Sequence, residues 1–221
     1  MNVNPWPVRT RFLLRVMAFY AARPRRIPEV ARWRRDRAQA PLDLRVPWWP
    51  FIAVTGVASR LPVGARAFEF GGGGSTLWLQ DQGVQVTTVE HDPEWHRALQ
   101  RSLPKPEDMI LSQPGEAGAL LTSLHPGKFF DDYVATINGF QDGIFDLVIL
   151  DGRVRVACGM AAMPKLRPGG MLLLDDSDRP KYAPLCKILD GWSRTDYRGL
   201  KPGGGLCQTS VWKRPPINAI S

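Results

Sequence analysis

The chain has 221 residues, 44% of them hydrophobic and 23% charged, the balance of a globular protein long enough to bury one sizeable core. No apolar run reaches the ~20 residues that span a bilayer, and the best stretch, residues 12–22, carries Arg15 and lacks a secretory cleavage pattern; the expectation is a cytoplasmic protein with no transmembrane segment. The formal charge of +8 is carried by residues 1–45, which hold eleven arginines against only Glu29, Asp36 and Asp43, so the rest of the chain is close to neutral. Cys158, Cys186 and Cys207 are sparse and show no metal spacing, which fits a reducing compartment and small apolar filler.

In chain order, Val8, Phe12, Val16 and Phe19 recur near helical spacing and predict a helix over 8–22, stopped by Pro24. A second arginine-rich helix is expected over 28–40 and a third over 51–60, separated by Pro41, Pro47 and Pro50. From Ala65 the pattern alternates. Strands are expected at 67–70, 84–89, 109–111, 145–150 and 171–174, with helices at 75–82, 93–103, 131–138, 155–166 and 182–192 between them. The run Phe145-Asp146-Leu147-Val148-Ile149-Leu150 reads as a central strand covered on both faces. Residues 195–199 and 207–212 read as strands joined by a connection too short for a crossover helix, hence an antiparallel hairpin. Residues 112–128 are expected to be the longest weakly structured stretch. The fold class is thus α/β, doubly wound, with a basic helical extension over 1–60 and a ligand-binding body over 61–221.

Two signals mark the ligand. Glu69-Phe70-Gly71-Gly72-Gly73-Gly74-Ser75-Thr76 lies between a strand and a helix, where glycine lets the backbone approach a ligand and the helix N-terminus favours anionic or polar groups. About 20 residues on, Glu90 closes the second strand, placed to accept both hydroxyls of a ribose. A dinucleotide needs a third glycine for its pyrophosphate, and Thr76 stands there instead. A sulfonium cofactor brings an ammonium group, to which Glu69 offers an acid directly or through water.

The segment Glu69–Ser75 resembles motif I of the class I S-adenosylmethionine-dependent methyltransferases, with Ser75 in place of the last glycine. Val89-Glu90-His91-Asp92 resembles their motif II, Phe145-Asp146-Leu147-Val148-Ile149-Leu150-Asp151-Gly152 their motif IV, and Leu166-Arg167-Pro168-Gly169-Gly170-Met171-Leu172 their strand-five turn. The resemblance covers roughly residues 65–214 and implies a Rossmann-like, mostly parallel seven-stranded sheet whose last strand is antiparallel. It implies S-adenosyl-L-methionine as cofactor, bound by Glu69, Gly71, Gly73 and Glu90, with Ser112 at the adenine edge. His91 is expected to line the site's edge, Trp95 to pack on the adenine or in the core, and Asp92 to cap the helix that Pro93 opens. His96 and His125 are expected at the surface.

Asp151, at the end of the fourth strand of the body, can bind the cofactor's ammonium, act as general base or ligate a metal. Asp175 and Asp176 end the next strand. The three carboxylates resemble the Mg²⁺ or other divalent-cation set of catechol-type O-methyltransferases, except that Asp176 stands where that family has asparagine. The alternative is that residues 176–178 cap the helix after Pro180. Arg153, Arg155 and Arg179 read either as anchors for an acidic acceptor or as solvated loop charges.

The expected activity is methylation of an oxygen on a small-molecule or sugar-like acceptor, with Asp151 catalytic. Alternatives are an RNA methyltransferase using residues 1–45, a relative of the polyamine synthases, a nicotinamide-dependent dehydrogenase and a non-catalytic nucleotide-binding module. The arginine-rich segment reads as a lid over the cofactor, a surface for nucleic acid or anionic membrane, or a homodimer contact.

Overall fold

The computed structural model describes residues 8–216. Its elements in chain order are helices α1 (Val8–Ala21), α2 (Pro28–Asp36), α3 (Pro41–Leu44) and α4 (Phe51–Ala58), then β1 (Arg66–Phe70), α5 (Gly74–Asp81), β2 (Gln85–Glu90), α6 (Pro93–Gln100) and β3 (Met109–Leu111). There follow β4 (Leu121–Thr122), β5 (His125–Phe129), α7 (Asp131–Ala135), β6 (Phe145–Leu150), α8 (Arg155–Ala162), β7 (Leu166–Leu174), α9 (Ala183–Ile188), β8 (Ser193–Leu200) and β9 (Leu206–Lys213).

Seven strands form one sheet in the order β3-β2-β1-β6-β7-β9-β8. The first five of these neighbours run parallel; β9 is antiparallel to both β7 and β8. The chain winds outward from β1 to β3 and then returns to β6, so the strand order reverses between β1 and β6, the point at which open α/β sheets bind ligands.

Period-two alternation supplies a core on each face of the sheet. Phe68, Phe70, Val148, Leu150, Leu172 and Leu174 point one way, onto Tyr133 and Val134 of α7, Cys158 and Ala162 of α8, and Leu185 of α9. Ala67, Leu147, Ile149, Met171 and Leu173 point the other way, onto Ala53, Val54 and Val57 of α4 and Trp78 and Leu79 of α5. All six residues of β6 are apolar except Asp146, as a strand covered on both faces requires.

The arginine-rich segment docks on the tip of the β8–β9 hairpin. Val16, Tyr20 and Trp33 pack against Leu200, the Trp33 indole donates to the Gly204 carbonyl at 2.7 Å, and the Leu200 amide donates to the Tyr20 hydroxyl at 3.1 Å. Several arginines have intramolecular partners here: Arg26 pairs with Glu29, Arg32 and Arg35 with Asp36, and Arg45 with Asp81. Val8 opens α1, but its side chain lies outside the described residues, so the predicted apolar stripe is seen at Phe12, Val16 and Phe19.

The helices are shorter than their apolar patterns predict. The second ends at Asp36 rather than Ala40, and the helix after Asp131 tightens into a 3₁₀ turn over Thr136–Gly139. The expectation of weak structure over 112–128 is corrected: β4 and β5 pair antiparallel, Leu121 opposite Phe129 and Thr122 opposite His125. No helix among the described residues is long and apolar enough to cross a membrane.

Candidate functional site

The turn after β1 is built around a buried acid. Glu69 is wholly inaccessible and accepts from the hydroxyls of Ser75 and Thr76, each at 2.5 Å, and of Thr88 at 3.0 Å. The Thr76 hydroxyl also accepts from the Gly73 amide at 3.0 Å. Burial pushes the Glu69 carboxyl up to about 7, against these hydroxyls, and the nearby Glu90 charge adds to the rise. Glu69 therefore reaches the ligand crevice through Ser75 and Thr76, which stand between it and the turn.

Gly71 has φ +87°, and a Cβ there would stand 2.6 Å from Gly152 Cα, so glycine is required on both counts. At Gly73 the backbone is extended and a Cβ would meet nothing within 4 Å. Asp151 donates its amide to the Phe70 carbonyl at 3.0 Å, which brings the tips of β1 and β6 together.

Glu90 is 3% exposed, and all its recorded donors are neutral groups or the adjoining imidazole. Its Oε1 accepts from the amides of His91 at 2.7 Å and Asp92 at 2.9 Å, and its Oε2 from the Gly72 amide at 3.1 Å. His91 Nδ1 lies 2.5 Å from Oε1. Burial works to raise this carboxyl, but the bond from the His91 side chain, the Asp92 amide, the attraction of the His91 ring and the His91 amide outweigh it and hold the group below its ordinary value. Glu90 is thus a carboxylate at neutral pH whose one side-chain partner among the described residues is His91, with no lysine or arginine on it.

The rest of this wall follows from local capping. Asp92 caps α6 by accepting from the Glu94 and Trp95 amides at 2.9 and 3.0 Å, as its place before Pro93 predicts. That fixes Trp95, half-buried, with its indole donating to the Gly72 carbonyl at 2.7 Å. Ser112 donates its amide to the Glu90 carbonyl at 2.8 Å, so it too stands beside the second strand's tip. His91 packs edge-on to His125, ring centroids 5.3 Å apart, and accepts from Arg153 Nε at 3.2 Å. Of the two histidines expected at the surface, one is corrected and the other stays partly exposed. His96 is buried at 8% exposure, and His125 is carried to the site by the β4–β5 ladder that the sequence did not reveal.

The carboxylates beyond β6 and β7 have cationic partners. Asp151 Oδ1 accepts from Arg155 at 2.7 Å, and the same guanidinium bonds the carbonyls of Asp151 and Asp175, each at 2.7 Å. Arg155 is therefore a buried strut and not a solvated loop charge. Lys201 Nζ lies 3.1 Å from Asp176 and 3.5 Å from Asp175; Asp175 also accepts from Thr209 at 2.6 Å, and Asp176 pairs with Arg179. Burial raises Asp151 to about 7, against Arg155, and raises Asp175 against Lys201.

Among the described residues, the donors that converge to metal-ligand spacing are Asp175, Asp176 and Cys207, without Asp151. The expected divalent-cation set does not fit this arrangement: Lys201 already supplies the positive charge between Asp175 and Asp176, and Arg155 holds Asp151. The capping alternative for residues 176–178 is also corrected, because the 3₁₀ turn after Pro180 has no side-chain cap and Asp176 sits at φ +52°. Lys201 and Thr88 were missed from sequence, and Thr76 was read only as the residue in place of a third glycine, not as a partner of Glu69. A lysine in a hairpin turn and threonines in a helix and a strand carry no motif that announces a carboxylate partner.

No protein-family model and no curated protein sequence matches the chain. Solved structures do. An O-methyltransferase from Bacillus cereus in complex with SAH superposes with a TM-score of 0.51 at 17% identity, over 72% of this chain and 77% of that one. The O-methyltransferase TomG from Streptomyces achromogenes, involved in tomaymycin synthesis and in complex with SAM, gives 0.51 at 17% identity, over 73% and 77%. The fold is that of the class I S-adenosylmethionine-dependent methyltransferases.

Proposed function

We propose that the chain is an S-adenosyl-L-methionine-dependent methyltransferase acting on an oxygen of a small-molecule or sugar-like acceptor. The observation that carries the reading is Glu90, a buried carboxylate at the tip of β2 bonded by backbone amides and the His91 ring with no lysine or arginine on it among the described residues, beside a glycine turn that leaves open space at Gly73. Such a group suits two ribose hydroxyls and a neighbouring sulfonium charge, and the cofactor fits these residues. The solved structures of the same fold with SAH and SAM bound support the choice of ligand.

The cofactor when bound supplies an activated methyl group: the C–S bond breaks with its electron pair returning to sulfur as an acceptor oxygen forms the new C–O bond. The chain's contribution is mainly position. Glu90 would clasp the ribose, Gly71 and Gly73 would shape the turn that admits the cofactor, with the open space at Gly73, and His91, Trp95 and Ser112 would flank the base. Glu69 shapes the turn through Ser75 and Thr76. Asp151 takes the hydroxyl proton on the oxygen that Arg155 does not hold, and a carboxyl raised to about 7 is matched to that task near neutral pH. Thr76, tied to Glu69 and Gly73, stands where a dinucleotide's pyrophosphate needs glycine, which argues against a dehydrogenase.

The test is turnover with methyl-labelled S-adenosylmethionine against a panel of hydroxylated small molecules. Label transfer with release of S-adenosylhomocysteine is expected, and Asp151→Asn should lower kcat about 100-fold while cofactor affinity stays within about threefold. Tight cofactor binding with no transfer to any hydroxyl would make the chain a non-catalytic nucleotide-binding module.

A further inference from the structure

A cavity of about 530 Å³ opens beside the crevice, between the β4–β5 ladder and α8. Gly152 lines it and also backs onto Gly71, 2.6 Å from where a Cβ on Gly71 would stand, so cavity and glycine turn share a wall. The volume is that of a site for a ligand of two or three rings.

Its lining combines two features that are costly unless something fills it. Leu121, Leu124 and Met160 stand at the cavity 54%, 63% and 53% exposed, an apolar rim left open to water. The charged residues lining it are all cations, Arg153, Arg155, Arg179 and Lys181, with no acid among them. Two of the four are neutralised from outside the cavity, Arg155 by Asp151 and Arg179 by Asp176. The other two have no carboxylate among the described residues: Arg153 bonds His91, and the Lys181 ammonium rests 5.0 Å from the centre of the Tyr182 ring. An aromatic face beside a lysine leaves its charge available to a stronger anionic partner.

We infer that this cavity is the acceptor site and that the acceptor is a hydroxylated compound with an apolar body and one anionic group, a carboxylate or phosphate, gripped by Arg153 and Lys181. The inference rests on the methyltransferase reading and deepens it. The apolar rim takes the body of the acceptor, the two free cations fix its orientation, and Gly152 sets its hydroxyl against the wall shared with the cofactor.

The probes are 2-naphthoate and the uncharged isostere 2-naphthalenemethanol, titrated by calorimetry into the full chain saturated with S-adenosylhomocysteine. Naphthoate is expected to bind at least fivefold more tightly than the alcohol, Lys181→Met to remove that preference, and Ala157→Trp, which fills the cavity, to abolish binding of both. Inorganic phosphate should compete with naphthoate but not with the alcohol. Equal affinity for the two probes, naphthoate binding indifferent to Lys181→Met, or no binding of either probe would each overturn the inference. Failure of S-adenosylhomocysteine itself to bind, measured first, would instead overturn the methyltransferase reading. Specific pull-down of another protein that Ala157→Trp blocks, with neither probe bound, would reassign the apolar rim to a protein contact.

Discussion

The two carboxylate clusters of this molecule are solved in opposite ways. At the tips of β1 and β2, Glu69 and Glu90 are satisfied by hydroxyls, amides and one imidazole, with no lysine or arginine on either among the described residues. At the tips of β6 and β7, Asp151, Asp175 and Asp176 are satisfied by Arg155, Lys201 and Arg179. Acids at the same edge of one sheet are thus satisfied by dipoles and an imidazole in one place and by paired cations in the other, where Asp151 keeps one oxygen that Arg155 does not hold. What decides between them is the charge of the donors and not the count of acids.

The contrast breaks most visibly if a cation is removed from the second cluster. Arg155→Met leaves Asp151 buried with no counter-charge, and loss of one partner of a buried pair costs about 3–5 kcal/mol. Denaturant unfolding of the variant should show a loss of that size, and a change under 1 kcal/mol would mean that Arg155 is not a strut. Titration tests the first cluster next. Glu69 is raised from its ordinary 4.5 to about 7, so the folded state holds this proton more tightly than the unfolded chain does. The resulting stability is complete below about pH 4.5 and lost as pH rises through about 7. The melting temperature of wild type relative to Glu69→Gln should therefore fall between pH 5 and pH 7.5, and a flat difference would contradict the burial of an acid under the glycine turn. The smallest effect concerns metal: millimolar Mg²⁺ should leave the melting temperature of the chain unchanged, because Lys201 occupies the charge position between Asp175 and Asp176. A magnesium-dependent rise that Asp175→Asn removes would show that lysine gives way to a cation.

Much of the architecture was legible because it is written in periodicity. Strand-helix alternation from Ala65, the nearly unbroken apolar run of β6 and the short connection before β9 together specify a parallel sheet closed by a hairpin. The glycine turn and Glu90 were legible because a turn needing positive φ at Gly71 and an acid closing a strand are local features. What the sequence hid is set by side chains distant along the chain. Lys201 reaches the aspartates from a hairpin tip, and nothing near Asp175 foretells it across 26 positions; Arg155, four residues from Asp151, was visible but its inward turn to the Asp175 carbonyl was not. The β4–β5 ladder is not legible because β4 has only two residues and β5 carries Pro126 and Gly127, so neither shows a period. That ladder brings His125 to His91 and forms one side of the cavity, so the cavity side of the crevice was the less readable half.

The account turns on Glu90 being the ligand's carboxylate, and calorimetry with S-adenosylhomocysteine addresses that directly. The wild-type chain is predicted to bind one equivalent saturably and to ignore NAD, and Glu90→Ala to lose about 100-fold in affinity, as expected when two charge-assisted hydrogen bonds disappear while circular dichroism stays unchanged. Undiminished affinity in a folded Glu90→Ala chain, or preference for NAD, would contradict it.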